Sequence, residues 1–111
     1  MTISSALRAL LASTLCAASV AAAQDYPNRP IRLVVPFPPG GATDILGRLV
    51  AERLGADYEQ AVVVENRPGA SGHVGAQQVA KSPGDGYTLL AGTIGIHAAY
   101  ASYRKLGYDP A

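Results

Sequence analysis

The most constraining feature of this sequence is the junction at residues 31–44, where an apolar run leads into a loop of prolines and glycines and then into a helical pattern. The run at 31–35 predicts a buried strand. It must end at the prolines that follow, because proline lacks the amide hydrogen that a strand ladder needs. Gly40 and Gly41 have no Cβ, so a ligand can approach the main chain closely. A helix that starts here points several unpaired backbone N–H groups at one spot, which favours an anion such as a carboxylate or a phosphate.

Three apolar runs alternate with helical patterns along the chain. The first helix is predicted over about residues 41–55, with charged residues between the apolar ones as on a solvated face. Gly55 is placed to end this helix in a left-handed cap. The apolar residues of the pattern are expected to face the core: Ile45, Leu46, Leu49, Val50 and Leu54.

The second and third strands are predicted at residues 61–64 and 87–92, two short apolar runs bounded by turn residues. A weaker helix is predicted between them, at about residues 71–81. Ser71 is expected to cap that helix, because serine side chains accept hydrogen bonds from the first helical amides. Three residues of this helix are expected to face inward: Val74, Val79 and Ala80.

The β-α-β-α-β order predicts an α/β fold, with a parallel sheet, helices on both faces and right-handed crossovers. Ligands of such sheets bind outside the carboxyl ends of the strands. The loops at residues 36–44 and 92–97 both follow strands, so both are expected on the same rim of the sheet. The second loop is expected to lead into a short helix that reaches position 103.

Residues 1–23 have the pattern of a secretory signal peptide. Positive charge at the amino terminus precedes an apolar stretch and three alanines at positions 21–23, which predicts export to the periplasm. The apolar stretch is shorter than the roughly 20 residues of a membrane span; a buried N-terminal helix is the alternative. Cys16 is the only cysteine and lies inside this segment, so the expected mature part, residues 24–111, has no disulfide or thiolate.

The expected mature part carries eight Lys/Arg and eight Asp/Glu residues, which is not the basic balance of a nucleic-acid binder. His73 and His97 have no cysteine or paired carboxylate at metal-ligand spacing. No nucleophile elbow or acid–base pair accompanies the loops, so we expect no metal, no cofactor and no enzyme activity. Gly69, Gly72 and Gly75 leave one alternative open, a small nucleotide-binding enzyme domain, although they lack the Gly-x-Gly start of the dinucleotide fingerprint.

Four motifs in the same order resemble the Bug family, the periplasmic solute-binding receptors of tripartite tricarboxylate transporters. The similarity covers nearly all of residues 24–111. Its segments are YPNRPIRLVVPFPPGGATD at 26–44, VVVENRPGASG at 62–72, GDGYTLL at 84–90 and YRKLGYDP at 103–110. Several separate motifs in register make this resemblance more specific than one glycine-rich loop.

The resemblance implies a two-lobed Venus-flytrap fold that closes over a small carboxylate and works with membrane permease subunits. Family members are much longer, so it also implies that residues 24–111 are the N-terminal part of the first lobe and that the second lobe is absent. The ligand-binding positions implied by the family motifs surround the Pro-Pro-Gly-Gly loop and the later Thr-x-Gly loop: Phe37, Pro38, Gly40, Gly41, Ala42, Thr43, Asp44, Thr93 and Gly95.

Two questions stay open at the level of sequence. The chain could be a truncated product that binds nothing by itself. Asp44 lies in the first helical turn, where a carboxylate interacts favourably with the helix dipole. We prefer that structural role to direct ligand contact, because a carboxylate side chain repels a carboxylate ligand.

Overall fold

A computed structural model describes residues 25–101 and 105–109 of the chain. The elements are β1 (Ile31–Val35), α1 (Ala42–Tyr58), β2 (Val62–Asn66), α2 (His73–Ala80), β3 (Thr88–Leu90) and α3 (Ile94–His97), with short 3-10 turns at Ala70–Gly72 and Ala99–Ala101. The predicted α/β alternation is confirmed. The expected signal peptide and the far end of the last predicted helix lie outside the described residues.

The sheet is parallel and its strand order is β2-β1-β3. The central strand, β1, pairs Leu33 with Val64 on one side and with Leu89 on the other. Both faces of β1 are covered, so Val34 and Val35 are 0% exposed. A strand buried on both faces has a continuous apolar sequence rather than an alternating one, which is why residues 31–35 were recognisable as a strand.

The two long helices pack on opposite faces of the sheet. In α1, a Cβ added to Gly47 would lie 3.0 Å from Cγ2 of Val35, so this helix rests closely on the face that carries Leu33 and Val35. Side chains alternate along a strand, so Val34 points to the other face, where α2 packs against β1 and β3. Gly75 of α2 approaches the strand end, where an added Cβ would lie 2.9 Å from Cβ of Pro36.

The first helix is longer than predicted, and Gly55 does not end it. Helix α1 continues to Tyr58, and Glu59 adopts the left-handed conformation at its C-cap, with φ 52° and ψ 29°. Gly55 has a packing role instead, because a Cβ at this position would lie 3.3 Å from the carbonyl oxygen of Gln60 as the chain turns back into β2.

The inward face of α1 is also different from the prediction. The buried residues of this helix are Asp44, Gly47 and Ala51. These small or polar residues allow the helix to lie close to the sheet. The large apolar residues lie outside this contact, and Leu46, Val50 and Leu54 line an open groove beside it. Four of the five side chains expected in the core are largely exposed: Ile45, Leu46, Leu49 and Val50.

Helix α2 and the outer strands need smaller corrections. Gly72, not Ser71, is the N-cap of α2, and no side chain caps it. Its buried residues are Gly75 and Ala76, whereas Val74 and Ala80 are exposed. Strand β2 ends at Asn66, two residues later than predicted. Strand β3 is shorter than the predicted 87–92 and spans only Thr88–Leu90. None of the helices in the described ranges has the length and apolarity required to cross a bilayer.

The left-handed C-cap of α1 makes a testable prediction. We expect Glu59→Gly to raise the free energy of unfolding by about 0.5–1 kcal/mol, because glycine adopts a positive φ without the steric cost of a Cβ. The control is Glu52→Gly, the same change in the exposed middle of the same helix, which should lower it by about 0.5–1 kcal/mol. Urea unfolding of both variants measures the difference, and two effects of the same sign would contradict the prediction.

Candidate functional site

The candidate site lies at the carboxyl ends of β1 and β3. The chain passes from β1 to β2 on one side and later from β2 to β3 on the other, so the order reverses between β1 and β3. Such a reversal opens a crevice where ligands of α/β sheets bind. The backbone N–H of Ala91 donates to the carbonyl of Val34 at 2.9 Å, which holds the two loops after β1 and β3 side by side.

The loop between β1 and α1, which we call the first loop, places the start of α1 at this crevice. Gly40 has φ +92°, a conformation that favours glycine, and Gly41 is the N-cap residue in an extended conformation with no side-chain cap. Among the described residues, no group accepts a hydrogen bond from the backbone N–H of Gly41, Ala42, Thr43 or Asp44. These are the amides that a helix N-terminus leaves for a ligand.

The carboxylate of Asp44 holds this loop in place. Asp44 is 3% exposed. Its Oδ2 accepts hydrogen bonds from the backbone N–H of Gly40 at 2.9 Å and from Nε of Arg48 at 3.0 Å. Its Oδ1 accepts one from Nδ2 of Asn66 at 2.8 Å. The carboxylate therefore fixes the last part of the loop to the helix that follows it and to the end of β2.

Asn66 completes the cluster from the end of β2. Its Nδ2 also donates to the carbonyl of Phe37 at 3.1 Å, and its Oδ1 accepts a hydrogen bond from Nη2 of Arg48 at 3.1 Å. Asp44, Arg48 and Asn66 thus hold both ends of the loop, the Phe37 carbonyl and the Gly40 amide. The hydrogen bond from Arg48 is the largest cause that lowers the pKa of Asp44 to about 2, followed by those from Gly40 and Asn66.

The second loop is attached to the first through a close contact at Gly72. A Cβ at this glycine would lie 3.1 Å from Cδ1 of Ile96 and 3.2 Å from Cζ of Phe37, so these two side chains meet over the Gly72 turn. Ile96 is 1% exposed. The hydroxyl of Tyr108 donates to the carbonyl of Ile96 at 3.2 Å and lies 2.6 Å from Nδ1 of His73. The segment 105–109 therefore supports the second loop from behind.

The predicted ligand positions are only partly brought together. Thr43 and Thr93 line the mouth of one groove of about 510 Å³ between α1 and the sheet. Gly41 and Ala42 are exposed at the start of α1, beside Thr43, and Gly40 and Pro38 are exposed in the loop. Phe37 packs under the rim against Gly72. Gly95 is exposed within α3 and is not part of the groove lining.

The positioning residues Arg48, Asn66 and Tyr108 were missed at the sequence level. A signal existed for Asn66, because Val62, Val64 and Asn66 share one face of a strand by alternation. That face lies under α1 in the structure, since Asn66 pairs in register with Val35. Arg48 stands four residues after Asp44 on the same helix, a spacing that permits an ion pair, but its second partner, Asn66, comes from the end of β2.

The glycines that suggested a nucleotide site have structural roles instead. Gly69 and Gly72 have φ +136° and +94°, and Gly75 lies against Pro36 and the carbonyl of Arg67. They shape a turn and a close helix contact. In the part of the chain that the structure describes, no group of three or more His, Cys, Asp or Glu side chains could hold a metal ion.

Comparison with known proteins gives a consistent result. Residues 46–111 match the family described as "Tripartite tricarboxylate transporter family receptor", TctC. Protein BugT of Bordetella pertussis is 48% identical over 87 residues, which are 76% of this chain and 27% of BugT. Other matching structures are described as a periplasmic transporter and the periplasmic binding protein BugD.

Two solved structures contain bound ligands. The R. palustris Rpa4515 structure with adipate is 53% identical and superposes with a TM-score of 0.72, over 77% of this chain and 29% of that one. MatC (Rpa3494) from Rhodopseudomonas palustris with bound malate is 41% identical with a TM-score of 0.73, over 77% of this chain and 29% of that one. The chain therefore spans less than a third of the length of these proteins.

The Asp44 carboxylate makes a testable prediction about acid stability. Its pKa is lowered from the ordinary value of 3.8 to about 2 in the folded chain. The charged form therefore stabilises the fold above about pH 4, and this stabilisation disappears as the pH falls towards 2. We expect Asp44→Asn to be less stable than the unmodified chain at pH 7, and the difference to shrink across that window.

Unfolding of both proteins followed between pH 7 and pH 2 measures this difference. Asp57→Asn is the control, because it removes only an exposed i,i+4 ion pair with Arg53 on the same helix and should cost less than about 0.5 kcal/mol at pH 7. A constant difference between Asp44→Asn and the unmodified chain down to pH 2 would refute this role of the carboxylate.

Proposed function

Since this chain belongs to the tripartite tricarboxylate transporter receptor family, we propose that residues 36–44 form one wall of a binding site for a small carboxylate. The observation that carries the proposal is the row of backbone amides of Gly41, Ala42 and Thr43, which have no acceptor among the described residues and lie at the start of a 17-residue helix. Two family relatives hold dicarboxylates, adipate and malate.

The backbone amides and two hydroxyl groups are the hydrogen-bond donors of this wall. A carboxylate accepts hydrogen bonds from backbone N–H groups at a helix start, where the helix dipole adds a favourable interaction. Thr43 and Thr93 line the adjoining groove mouth and can donate from their hydroxyl groups. Phe37, Pro38, Gly40 and Gly95 shape the rim in this proposal.

Asp44 serves the site by positioning and not by contact. Both of its oxygens already accept hydrogen bonds from Gly40, Arg48 and Asn66. The Arg48 guanidinium balances its negative charge, so the carboxylate does not oppose an anion at the neighbouring amides. The cluster keeps the loop preorganised, which lowers the entropic cost of binding.

The wall by itself is expected to bind weakly. Affinity in a two-lobed receptor comes from closure, which excludes water and adds contacts from the second side. We therefore expect millimolar affinity for residues 24–111 alone. Micromolar affinity of this segment for citrate, glutamate or an aromatic acid in calorimetry would contradict the requirement for a second lobe.

The family assignment also supports a proposal about where the protein acts and with which partners. The family consists of solute-binding receptors, and structural relatives are periplasmic binding proteins. We propose that residues 1–23 direct export and are removed, that the receptor passes its solute to membrane permease subunits, and that the chain has no catalytic activity.

The amide wall can be tested by removing a single N–H group. Ala42 is the first helical residue and follows an extended Gly41, with φ −80° and ψ 170°. Proline is tolerated at such a position because its φ already suits the helix and the residue before it is extended. We expect Ala42→Pro to weaken adipate binding at least about tenfold, because it removes one hydrogen bond to a charged group.

Amide chemical shifts in a titration of residues 24–111 with adipate measure this binding in the millimolar range. Ala42→Gly is the control, since it keeps the N–H and should retain the affinity. The unmodified segment should show saturable shifts at Gly41, Ala42 and Thr43. Saturable shifts elsewhere only, or equal affinity of the proline variant, would overturn the proposal.

A further inference from the structure

The short helix α3 needs contacts from other elements to keep its place. It has four residues, Ile94–His97, and an isolated helix of fewer than about 12 residues is marginal in water. Its N-cap residue is Thr93, one of the two hydroxyl residues at the groove mouth. The position of the Thr93 hydroxyl group therefore depends on what anchors α3 to the rest of the unit.

An apolar and a polar anchor of α3 both act on Ile96. Its side chain is 1% exposed and meets Phe37 over the Gly72 turn. Its carbonyl accepts a hydrogen bond from the hydroxyl of Tyr108 at 3.2 Å. The backbone N–H of Ile96 donates to the carbonyl of Thr93 at 3.0 Å, so the contacts that hold Ile96 also hold Thr93.

Tyr108 is itself held against α2 by two contacts. Its hydroxyl oxygen lies 2.6 Å from Nδ1 of His73, the first residue of α2, and the two ring centroids are 5.9 Å apart. The preceding Gly107 lies so close to α2 that any Cβ there would collide with the side-chain amide of Gln77. The Tyr108 hydroxyl group therefore bridges the start of α2 and the end of α3.

The number of protons at this bridge gives its hydrogen bonds a direction. A tyrosine hydroxyl group has one proton to donate. Because Tyr108 donates it to the carbonyl of Ile96, its contact with His73 is a hydrogen bond only when Nδ1 of His73 carries a proton and donates it. The bridge is then a chain of two hydrogen bonds that runs from His73 through Tyr108 to Ile96.

We propose that His73 is a positioning residue of the ligand site. Its Nδ1–H group orients the hydroxyl of Tyr108, which holds α3 and thereby keeps the hydroxyl of Thr93 at the groove mouth. His73 does not line the groove, so its effect passes through this chain of hydrogen bonds. The consequence for solute binding rests on the proposed carboxylate site, whereas the anchoring of α3 does not.

Removing one hydroxyl group tests the anchoring. In the expected mature part, residues 24–111, Tyr108→Phe deletes the bridge and keeps the ring. Tyr26→Phe is the matched control, because the Tyr26 hydroxyl also donates to a carbonyl, that of Gly86 at 2.6 Å. Gly86 lies just before β3, at the opposite end of the sheet from α3.

Hydrogen exchange at the Ala98 amide reports the opening of α3, because this N–H donates to the carbonyl of Ile94 at 2.8 Å. We expect exchange at least about fivefold faster in Tyr108→Phe than in Tyr26→Phe, as for the loss of one local hydrogen bond. Equal rates in the two variants would overturn the proposal.

Two substitutions of His73 separate its proton from its size. Asparagine places an N–H donor where Nδ1 stood, and leucine has a similar size but no donor. We expect His73→Asn to keep the Ala98 exchange rate within about twofold, and His73→Leu to raise it as much as Tyr108→Phe does. The same rate in both His73 variants would refute the role of the Nδ1 proton.

The unmodified protein offers a readout that needs no substitution. Long-range nitrogen NMR spectra of the imidazole ring distinguish a protonated from an unprotonated ring nitrogen. We expect the proton on Nδ1 of His73. An unprotonated Nδ1 would reverse the direction of the first hydrogen bond and overturn the proposal.

The effect on the solute is measured by the adipate titration described above. We expect Tyr108→Phe and His73→Leu to weaken adipate binding about threefold and Tyr26→Phe to leave it unchanged. Saturable shifts at residues 41–43 with equal affinity in all three variants would support the carboxylate wall and overturn the role of His73 in it. Absence of such shifts in the unmodified segment would contradict the wall, and Ala98 exchange would then decide the anchoring of α3.

Discussion

The arrangement of the candidate site depends on one buried carboxylate. Asp44 accepts hydrogen bonds from Gly40, Arg48 and Asn66, and through Asn66 it is linked to the carbonyl of Phe37. A buried charge is tolerated only when such partners replace the water that it loses. The same partners define the path of the loop, so the amides at the start of α1 are held in position before any ligand arrives.

This arrangement separates two tasks that both need polar groups. Side chains of Asp44, Arg48 and Asn66 satisfy one another and hold the loop, while the backbone amides of residues 41–43 have no acceptor among the described residues. A site built from backbone donors depends little on which residue types line it.

The sequence predicted the elements well and the packing less well. Strand β1 was predicted residue for residue, because a fully buried parallel strand has an unbroken apolar run. The predicted orientation of α1 was wrong. Periodicity favours large apolar residues as the core face, whereas the helix packs closely on the sheet through Gly47 and Ala51. The ligand-binding positions remain predictions, and the cluster of Asp44, Arg48 and Asn66 was missed because it joins α1 to the end of β2, 18 residues beyond Arg48 along the chain.

Gly47 has a consequence for the site that reaches beyond local packing. The space above Val35 is just sufficient for a hydrogen atom at this position, since a methyl carbon would lie 3.0 Å from Cγ2 of that valine. The close distance between α1 and β1 therefore depends on glycine at position 47. A bulkier residue would require the helix or the Val35 side chain to shift. The absence of one methyl group thus lets the first half of α1 rest directly on β1, the strand whose end carries the loop.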